Sequence, residues 1–408
     1  MAVNGTEPGL RVASVELRWL ALHLAGDHRT AYGTERSRPV VVARVVLVAG
    51  SAGSAGVAGS AGAAGSAGAA GDGVDGWGEC AALATPAYDE EYAAGAWAVL
   101  TEHLAPRLVD AEVGRPGDLF AALNAVRGIM DTIRGHRMAK ACLEMAVADA
   151  VLRAGGQSLA GALGVVALSV PAGAVIGLPR DLGRARAEMA AAVAAGFTRV
   201  RVKIAPGCDV TPMAALRAEL PDVQLQVDAN GSYRRDQVDG LDGLDELDLA
   251  CIEQPLEPAD LVGHARLARR WRTPLCLDES LHDPADVDVV AEIGAARMLC
   301  VKPARLAGIG PAVDAAGRAR ARGLGLWCGG MLQTALGRAV DAVVSGLPGF
   351  TLAGDLGSAS PAFVEPDPFG PVPVAAGAVT LRREPGVGPS PDRELLQAVT
   401  TRRWRSVS

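Results

Sequence analysis

The sequence predicts an α/β fold in which eight parallel strands and their helices close into a modified TIM (β/α)8 barrel. From about Leu168 onward, short β-branched runs alternate with helical segments that are rich in Ala and Arg. The ends of the runs are spaced 24 or 25 residues apart, a length that suits one strand, one helix and two short loops. These ends lie near Lys203, Asp228, Glu253, Asp278, Lys302 and Trp327.

Two further runs complete the set of eight strands. Residues 170–176 precede the series and residues 350–353 follow it. Repeated strand–helix units are also compatible with an open, doubly wound sheet. That fold usually carries its ligand at a Gly-rich turn, however, and no G-x-G-x-x-G motif follows a strand here. The sequence therefore favours the closed barrel.

The part of the chain before the barrel predicts an additional N-terminal domain. Residues 40–48 are β-branched and apolar, and residues 76–80 resume an ordered stretch, so both predict strands. The intervening insert, residues 50–75, is mostly Ser-Ala-Gly and Ala-Ala-Gly triplets without the proline of collagen, which indicates a flexible low-complexity insertion in a hairpin connection. Apolar residues recur at helical spacing over 88–109 and 137–154, which predicts helices.

Composition and charge exclude several classes of partner. The 408 residues are 50% hydrophobic, with a formal net charge of −7 and a pI of about 5.5, and they include no basic run for nucleic acid or anionic lipid. Apolar stretches fall short of the roughly 20 residues that cross a membrane, and no signal core follows Met1, so we expect a cytoplasmic protein. The seven cysteines lack a C-x-x-C pair and predict buried small side chains.

Charged residues end five consecutive predicted strands. Because the carboxyl ends of the strands form the active-site face of such barrels, we expect these side chains to converge at one mouth. The carboxylates of Asp228, Glu253 and Asp278 would repel each other unless a cation lay among them. An all-oxygen set suits Mg²⁺, or Mn²⁺, better than zinc. The alternative is that each carboxylate is an ordinary strand-end charge paired with an arginine.

Two lysines flank the acidic strands. Lys203 and Lys302 are therefore expected to face each other across the metal. This arrangement suits chemistry at a carbon beside a metal-bound carboxylate, where the metal stabilises an enediolate while one lysine takes or gives the proton. Arg201, two residues before Lys203, either lowers the pKa of that lysine as a neighbouring cation or forms a salt bridge to a carboxylate.

Several motifs around these residues together resemble one protein family. They are Gly76-Trp77-Gly78-Glu79, Met138-Ala139-Lys140-Ala141, Val202-Lys203-Ile204-Ala205-Pro206-Gly207, Asp228-Ala229-Asn230, Ile252-Glu253-Gln254-Pro255-Leu256, Leu277-Asp278-Glu279-Ser280, Lys302-Pro303 and Trp327-Cys328-Gly329-Gly330-Met331-Leu332. The chain resembles the enolase superfamily in its muconate lactonizing branch, in the subgroup of o-succinylbenzoate synthase and N-acylamino acid racemase. A lysine base and a magnesium-stabilised enediolate are a known pattern of that superfamily.

The resemblance implies an α+β capping domain that joins the two ends of the chain. Residues 385–388 resemble the usual signature of the C-terminal tail. The implied divisions are residues 1–140 for the N-terminal part of the cap, 141–369 for the barrel, and 370–408 for the segment that returns to the cap.

The resemblance also implies roles for the site residues. Lys203 would abstract the proton and Lys302 would stabilise the enediolate as a cation, next to a metal held by the three carboxylates. The residues expected to contact or support the substrate are Arg201, Asn230, Gly329 and Met331. The expected partners are a small carboxylate and other copies of the same chain, with no nucleic acid and no membrane.

The chain departs from the family pattern at several positions. Arg201 replaces the first lysine of a Lys-x-Lys pair, which keeps the charge but does not titrate. Gln333 replaces a usual Glu, and residues 304–308 differ from the usual Gly-Arg-Val-Gly-Gly stretch. The cap's specificity loop reads Asp27-His28-Arg29-Thr30-Ala31, in which we interpret His28 as a solvated residue. We therefore expect intact proton chemistry beside an altered substrate pocket.

Several activities stay open. Dehydration to o-succinylbenzoate is the first expectation, and racemisation of N-acylamino acids is the alternative, since both begin with the same proton abstraction. A muconate cycloisomerase uses the same lysines and ligands. A dipeptide epimerase would carry a second acid in Asp355-Leu356-Gly357, and a mandelate racemase type would place a His opposite the first lysine, where Lys302 stands. A carboxylate-binding barrel without turnover is the alternative from a different class.

Overall fold

The computed structural model describes residues 9–30, 33–50, 73–356 and 363–407, and no side chains for residues 25–30 and 33–35. Most of the low-complexity insert therefore lies outside the described residues, as do the side chains of the 27–31 cap loop. Within the described ranges the strands form a sheet of four, a sheet of seven and a sheet of three.

The seven-stranded sheet is parallel, and neighbours in the sheet are neighbours in sequence. A helical segment follows each strand, so the connections are strand–helix–strand crossovers. The strands are β1 Ala174–Ile176, β2 Arg199–Lys203, β3 Gln224–Asp228, β4 Ile252–Glu253, β5 Leu275–Leu277, β6 Met298–Val301 and β7 Gly325–Cys328. The helical segments after them are Leu182–Ala194, Val210–Glu219, Val238–Glu246, Leu261–Arg270, Pro284–Ile293, Ile309–Ala321 and Ala335–Ser345.

Residues 350–355 occupy the eighth position and close the ring. On one side they bond to β7, where the N–H of Asp355 donates to the carbonyl of Cys328 at 2.8 Å. On the other side Gly354 bridges in parallel to Ala172, just ahead of β1. The predicted barrel is thus confirmed, with its eighth strand present as isolated bridges.

The two ends of the chain meet in the four-stranded antiparallel sheet. The last strand, Thr400–Val407, pairs with the first, Leu10–Thr30. The other two strands, Gly33–Ala49 and Val74–Cys80, pair with each other on either side of the insert, as predicted for a hairpin connection. The remaining helices are Ala93–Val99, Leu100–Leu104, Ala105–Leu108, Leu119–Met130, Arg137–Ala154, Leu159–Ala162 and Arg393–Val399, and the small sheet contains Ser169–Pro171, Val374–Ala375 and Ala378–Thr380.

The helix Arg137–Ala154 contributes side chains both to the core of the terminal sheet and to the core of the barrel. Residues 138–152 are all buried, so the predicted apolar face belongs to a helix that is enclosed on every side. The predicted domain boundary at 140/141 falls inside this helix, and the domain limits stay a prediction.

Two glycines of the strand Val74–Cys80 allow this helix to approach. A Cβ on Gly78 would lie 2.0 Å from the carbonyl oxygen of Cys142, and a Cβ on Gly76 would lie 2.2 Å from the backbone nitrogen of Ala150. Both distances are far below van der Waals contact. The strand therefore needs glycine at these positions because its backbone packs directly on the helix backbone.

Two further observations concern membrane spans and cysteines. In the described ranges, no helix combines the length and the apolar character that a membrane span requires. All seven cysteines are free, and six of them are buried, which confirms their prediction as small core residues. The cytoplasmic location stays a prediction.

We predict that Gly78→Ala lowers the free energy of unfolding by about 3 kcal/mol, because the added methyl group overlaps a helix carbonyl and forces strand and helix apart. Gly128→Ala is the matched control. It lies in the helix Leu119–Met130 with no atom within 4 Å of its Cβ position, and alanine there should stabilise by up to about 1 kcal/mol. Urea unfolding followed by circular dichroism measures both, and equal stabilities would contradict the close packing.

Glu144 connects the helix Arg137–Ala154 to the barrel. Its carboxyl group accepts hydrogen bonds from the N–H of Ile309 at 2.5 Å and of Gly310 at 3.0 Å, in the first turn of Ile309–Ala321. Burial raises the pKa of Glu144 to about 8, against the opposing effect of these two donors. The junction therefore contains a carboxyl group that holds its proton near neutral pH.

We predict that this proton makes stability depend on pH. The pKa of Glu144 is raised from 4.5 to about 8, so the folded protein binds the proton more tightly than the unfolded chain. Its contribution is fully present below pH 4.5 and is lost as the pH rises towards 8. Relative to Glu144→Gln, the wild type should lose up to about 1.4 kcal/mol of unfolding free energy per pH unit in this window. Parallel pH profiles of the two proteins in urea unfolding would contradict this.

Candidate active site

Five predicted residues lie at the carboxyl ends of consecutive barrel strands. Lys203, Asp228 and Glu253 are the last residues of β2, β3 and β4, and Asp278 and Lys302 directly follow β5 and β6. In the parallel register Lys203 is opposite Asp228, and Asp228 is opposite Glu253. The structure therefore brings the five residues to one mouth of the barrel.

The two lysines stand on opposite sides of that mouth. Their strands β2 and β6 lie four positions apart in a ring of seven strands and one closing segment, which is half the circumference. The strands between them, β3 to β5, carry the three carboxylates. A small molecule bound over the carboxylates would thus have one lysine on each side.

The ammonium group of Lys203 lies among oxygen acceptors. It donates to Asp228 Oδ2 at 2.6 Å and to Asn230 Oδ1 at 2.7 Å. Asn230 adopts a left-handed backbone with φ of +45°, and its Nδ2 donates to Glu279 Oε1 at 2.8 Å. Asn230 therefore links the lysine to a second buried acid.

Lys302 is held by a residue from the N-terminal part of the chain. Its ammonium group donates to Asp278 Oδ2 and to the Tyr88 hydroxyl, both at 2.7 Å. Arg305 donates to the same hydroxyl at 2.6 Å and pairs with Asp278 Oδ1 at 2.7 Å. Burial favours the neutral amine, but the Asp278 carboxylate outweighs it and holds the pKa of Lys302 well above its usual value. This lysine is fixed as a cation.

Arg201 forms salt bridges, which was one of its two predicted roles. Its Nη1 lies 2.6 Å from Asp228 Oδ2 and 3.1 Å from Glu253 Oε2, and its Nη2 pairs with Asp355. Lys203 shares the same Asp228 oxygen. The guanidinium group of Arg201, which does not titrate, and the ammonium group of Lys203 therefore contact the same oxygen of Asp228.

The acidic residues fit a hard divalent cation. Among the described residues, ligand atoms of Glu253, Asp278 and Cys300 lie within 4.8 Å of one another, while the Asp228 carboxylate is drawn towards Arg201 and Lys203. Burial, followed by the charge of Asp228, raises the pKa of Glu253 well above its usual value, although Arg201 lies beside it. A thiol is too soft for Mg²⁺, so the carboxylates fit best.

A further observation supports a cation here. The buried Oε2 of Glu279 has no hydrogen-bond partner in the described structure. Burial, followed by the charges of Asp278 and Asp228, raises the pKa of Glu279 to about 7. A positive charge placed among these acids would satisfy both the unpartnered oxygen and the excess of negative charge.

The other predicted residues have separate positions. Gly329 packs against Lys302, since a Cβ there would lie 2.7 Å from the lysine Cε. Met331 packs in the apolar core of the terminal sheet, and its role towards a substrate stays a prediction. Gln333 bonds to Asp341 at 2.8 Å instead of facing the mouth.

Sequence reasoning missed three contacts of the site. Tyr88 reaches Lys302 from residues ahead of the helix Ala93–Val99, so the prediction of a helix from residue 88 is wrong at its start. Arg305 lies in the stretch 304–308, which the sequence marks only as differing from the family pattern. Asp355 had been read only as evidence against an epimerase, yet it pairs with Arg201. A polar residue at the eighth strand end was the available signal for Asp355, because strand ends face the mouth.

Comparison with known sequences gives two kinds of relative. A family model described as Enolase C-terminal domain-like matches residues 184–395. The N-succinylamino acid racemase of an Amycolatopsis species is 38% identical over 393 residues, which are 96% of this chain and 98% of the relative. The o-succinylbenzoate synthase of Geobacillus stearothermophilus is 33% identical over 392 residues, 96% of each chain.

Comparison with solved structures gives the same architecture. A member of the enolase superfamily from Listeria innocua superimposes with a TM-score of 0.86 at 28% identity, covering 98% of this chain and 99% of the other. The muconate lactonizing enzyme of Pseudomonas fluorescens gives 0.83 at 22% identity, covering 97% of this chain and 100% of the other, and this second likeness concerns the fold alone.

We predict that Mg²⁺ raises the midpoint of thermal unfolding relative to protein in EDTA, because it relieves the repulsion among the carboxylates. At a hundredfold excess over its Kd the stabilisation is about 2.7 kcal/mol. Glu253→Ala should abolish the shift, whereas Asp314→Ala, on the barrel helix Ile309–Ala321 and not at a strand end, should keep it. Differential scanning calorimetry measures all three, and identical midpoints with Mg²⁺ and EDTA for the wild type would contradict the site.

Proposed function

Since this chain belongs to the enolase superfamily, we propose that it removes the proton next to the carboxylate of a small succinyl-bearing acid. The first candidate activity is that of an o-succinylbenzoate synthase, which dehydrates 2-succinyl-6-hydroxy-2,4-cyclohexadiene-1-carboxylate. The observation that carries the proposal is that Lys203 and Lys302 stand on opposite sides of three buried carboxylates.

The use of lysine in this chain supports the choice of these two residues. The sequence has three lysines and 36 arginines, so arginine is the usual positively charged side chain of this protein. Two of the three lysines stand at the mouth. Lysine differs from arginine in that it can lose its proton near neutral pH when its surroundings favour this. Proton transfer is a reason for lysine at these positions.

Asp228, Glu253 and Asp278 are the proposed ligands of Mg²⁺, or of Mn²⁺. When bound, the cation would stabilise the negative charge that develops on the substrate carboxylate as the proton leaves. Glu279 and Asn230 would orient the ligands, since Asn230 bonds both to Asp228 and to Glu279. Arg201 would hold two of the carboxylates from below.

Lys203 is the proposed base. Once it has taken the proton, its ammonium group would donate to Asp228 and Asn230. Lys302 is the proposed electrostatic partner, fixed as a cation by Asp278 and Tyr88 on the other side of the substrate. In the dehydration, Lys203 would take the proton, the electron pair of the C–H bond would become a ring double bond, and the C–O bond would break. The hydroxyl would leave as water with the proton that Lys203 returns.

Racemisation of N-succinylamino acids is the second candidate activity. It is favoured by the 38% identical relative that bears this name and by the opposed lysines. One lysine would remove the α-proton from one face, and the other would deliver a proton to the opposite face. Both candidate activities share the first step, so one protein can be tested for both.

We predict that purified protein with Mg²⁺ converts the cyclohexadiene acid to o-succinylbenzoate and exchanges the α-proton of N-succinylamino acids in deuterated water. Lys203→Ala should lower either rate by at least about 10³-fold, as expected for the loss of a positioned acid or base. Lys140→Ala is the matched control and should stay within a few-fold of the wild type, because its ammonium group lies away from the mouth, 3.7 Å from Asp131.

The outcomes separate the candidate activities. Absorbance of the aromatic product measures dehydration, and NMR of the α-proton measures exchange. Exchange without dehydration assigns the racemase, and dehydration with slow exchange assigns the synthase. Absence of both reactions in a protein that binds Mg²⁺ would contradict the proposal and favour a muconate cycloisomerase or a carboxylate-binding barrel without turnover.

A further inference from the structure

Five buried side chains beneath the mouth form a closed ring of hydrogen bonds, here called the arginine ring. Arg201 Nη1 lies 3.1 Å from Glu253 Oε2, which also accepts from Gln226 Nε2 at 2.7 Å. Gln226 Oε1 accepts from Arg199 Nη1 at 2.6 Å. Asp355 closes the ring, since its two carboxylate oxygens accept from Arg199 and from Arg201 respectively.

The ring is fixed from several directions. None of its members is more than 6% exposed. The indole ring of Trp327 lies beside both guanidinium groups, with centroid distances of 4.7 Å to Arg199 and 5.0 Å to Arg201. Asp355 belongs to the segment that closes the barrel, so the ring also ties that segment to β2. Charges this deeply buried need counter-charges, and the ring contains two arginines and two carboxylates.

From this geometry we propose that Asp355 is a positioning residue for the metal site. It takes one nitrogen of Arg201, which leaves the other for Asp228 and Glu253. It also holds Arg199, which orients Gln226 against Glu253. By pairing with both arginines, Asp355 offsets positive charge directly beneath Asp228 and Glu253, which would otherwise oppose the binding of a divalent cation.

The ring also accounts for arginine at position 201. A guanidinium group has several N–H donors in a rigid planar fork, whereas an ammonium group is a compact point charge. Arg201 contacts three carboxylates at once, and only a fork can span Asp355 on one side and the two proposed ligands on the other. The three carboxylates around Arg201 thus give a physical reason for arginine at this position.

The test measures Mg²⁺ affinity by isothermal titration calorimetry without substrate, on the full chain. Asp355→Asn keeps the shape but removes the counter-charge, and should raise the Kd of Mg²⁺ at least about tenfold, as found when groups that orient metal ligands are changed. Gln226→Leu breaks the other arm of the ring and should raise the Kd at least about threefold, a smaller effect because Arg201 still holds Glu253.

Asp149→Asn is the matched control. Asp149 is also fully buried and pairs with an arginine, Arg153, at 2.8 Å, but it lies in the helix Arg137–Ala154. It should lose stability while the Kd of Mg²⁺ stays within twofold of the wild type. An equal loss of Mg²⁺ affinity in Asp149→Asn would overturn the inference, because the effect would then be general destabilisation.

The remaining outcomes separate this inference from the proposed function on which it rests. A wild type that does not bind Mg²⁺ would overturn the proposed metal site itself. A wild type that binds Mg²⁺, with Asp355→Asn and Gln226→Leu both within twofold of it, would overturn only the role of the ring. If Asp355→Asn does not fold, the Kd of Mg²⁺ for Gln226→Leu tests the inference alone. A Kd within twofold of the wild type would then overturn the role of the ring.

Discussion

Repulsion among buried carboxylates is the constraint on which the arrangement of this site depends. Asp228, Glu253 and Asp278 stand on adjacent strands with no exposed surface. Isolated charges in such a place are costly, so each must be met by a cation. The protein places Lys203 and Arg201 on one side and Lys302 and Arg305 on the other, and the barrel's strand order sets that division.

The terminal sheet and its helices take part in the same charge balance. Tyr88, which precedes the helix Ala93–Val99, places its hydroxyl between Lys302 and Arg305. Glu144 joins the helix Arg137–Ala154 to a barrel helix, and Asp149 joins it to the strand Val74–Cys80 and to Val387 of the tail. The position of Lys302 therefore depends on a contact between the N-terminal part of the chain and the barrel.

Much of the barrel and of its charged mouth could be predicted from the sequence. The constant spacing of strand ends located Lys203, Asp228, Glu253, Asp278 and Lys302, because parallel strands end on one face. The spacing of strand ends predicts the position of a residue along the barrel axis, but not the side chains with which it forms hydrogen bonds. Arg201 therefore had two open interpretations, and its contacts to three carboxylates were visible only in the structure.

The contacts that sequence reasoning missed come from places where the sequence pattern did not predict the local structure, since helical spacing predicted a helix from residue 88 whereas the helix begins at Ala93. Tyr88 belongs to a loop, and Asp355 follows a strand reduced to isolated bridges. Both act on residues more than 150 positions away along the chain. The loop at residues 27–31, which the family resemblance predicts to set specificity, has no described side chains. The assays of the two candidate activities therefore have to identify the substrate.

The most direct test of the account is a crystal structure of the protein soaked with Mn²⁺ and measured for anomalous scattering. We expect one peak at the barrel mouth, bound by oxygens of Asp228, Glu253 and Asp278 at about 2.0–2.2 Å, with Lys203 and Lys302 on opposite sides. A peak elsewhere, or a mouth in which Arg201 and the lysines still occupy all three carboxylates, would contradict it.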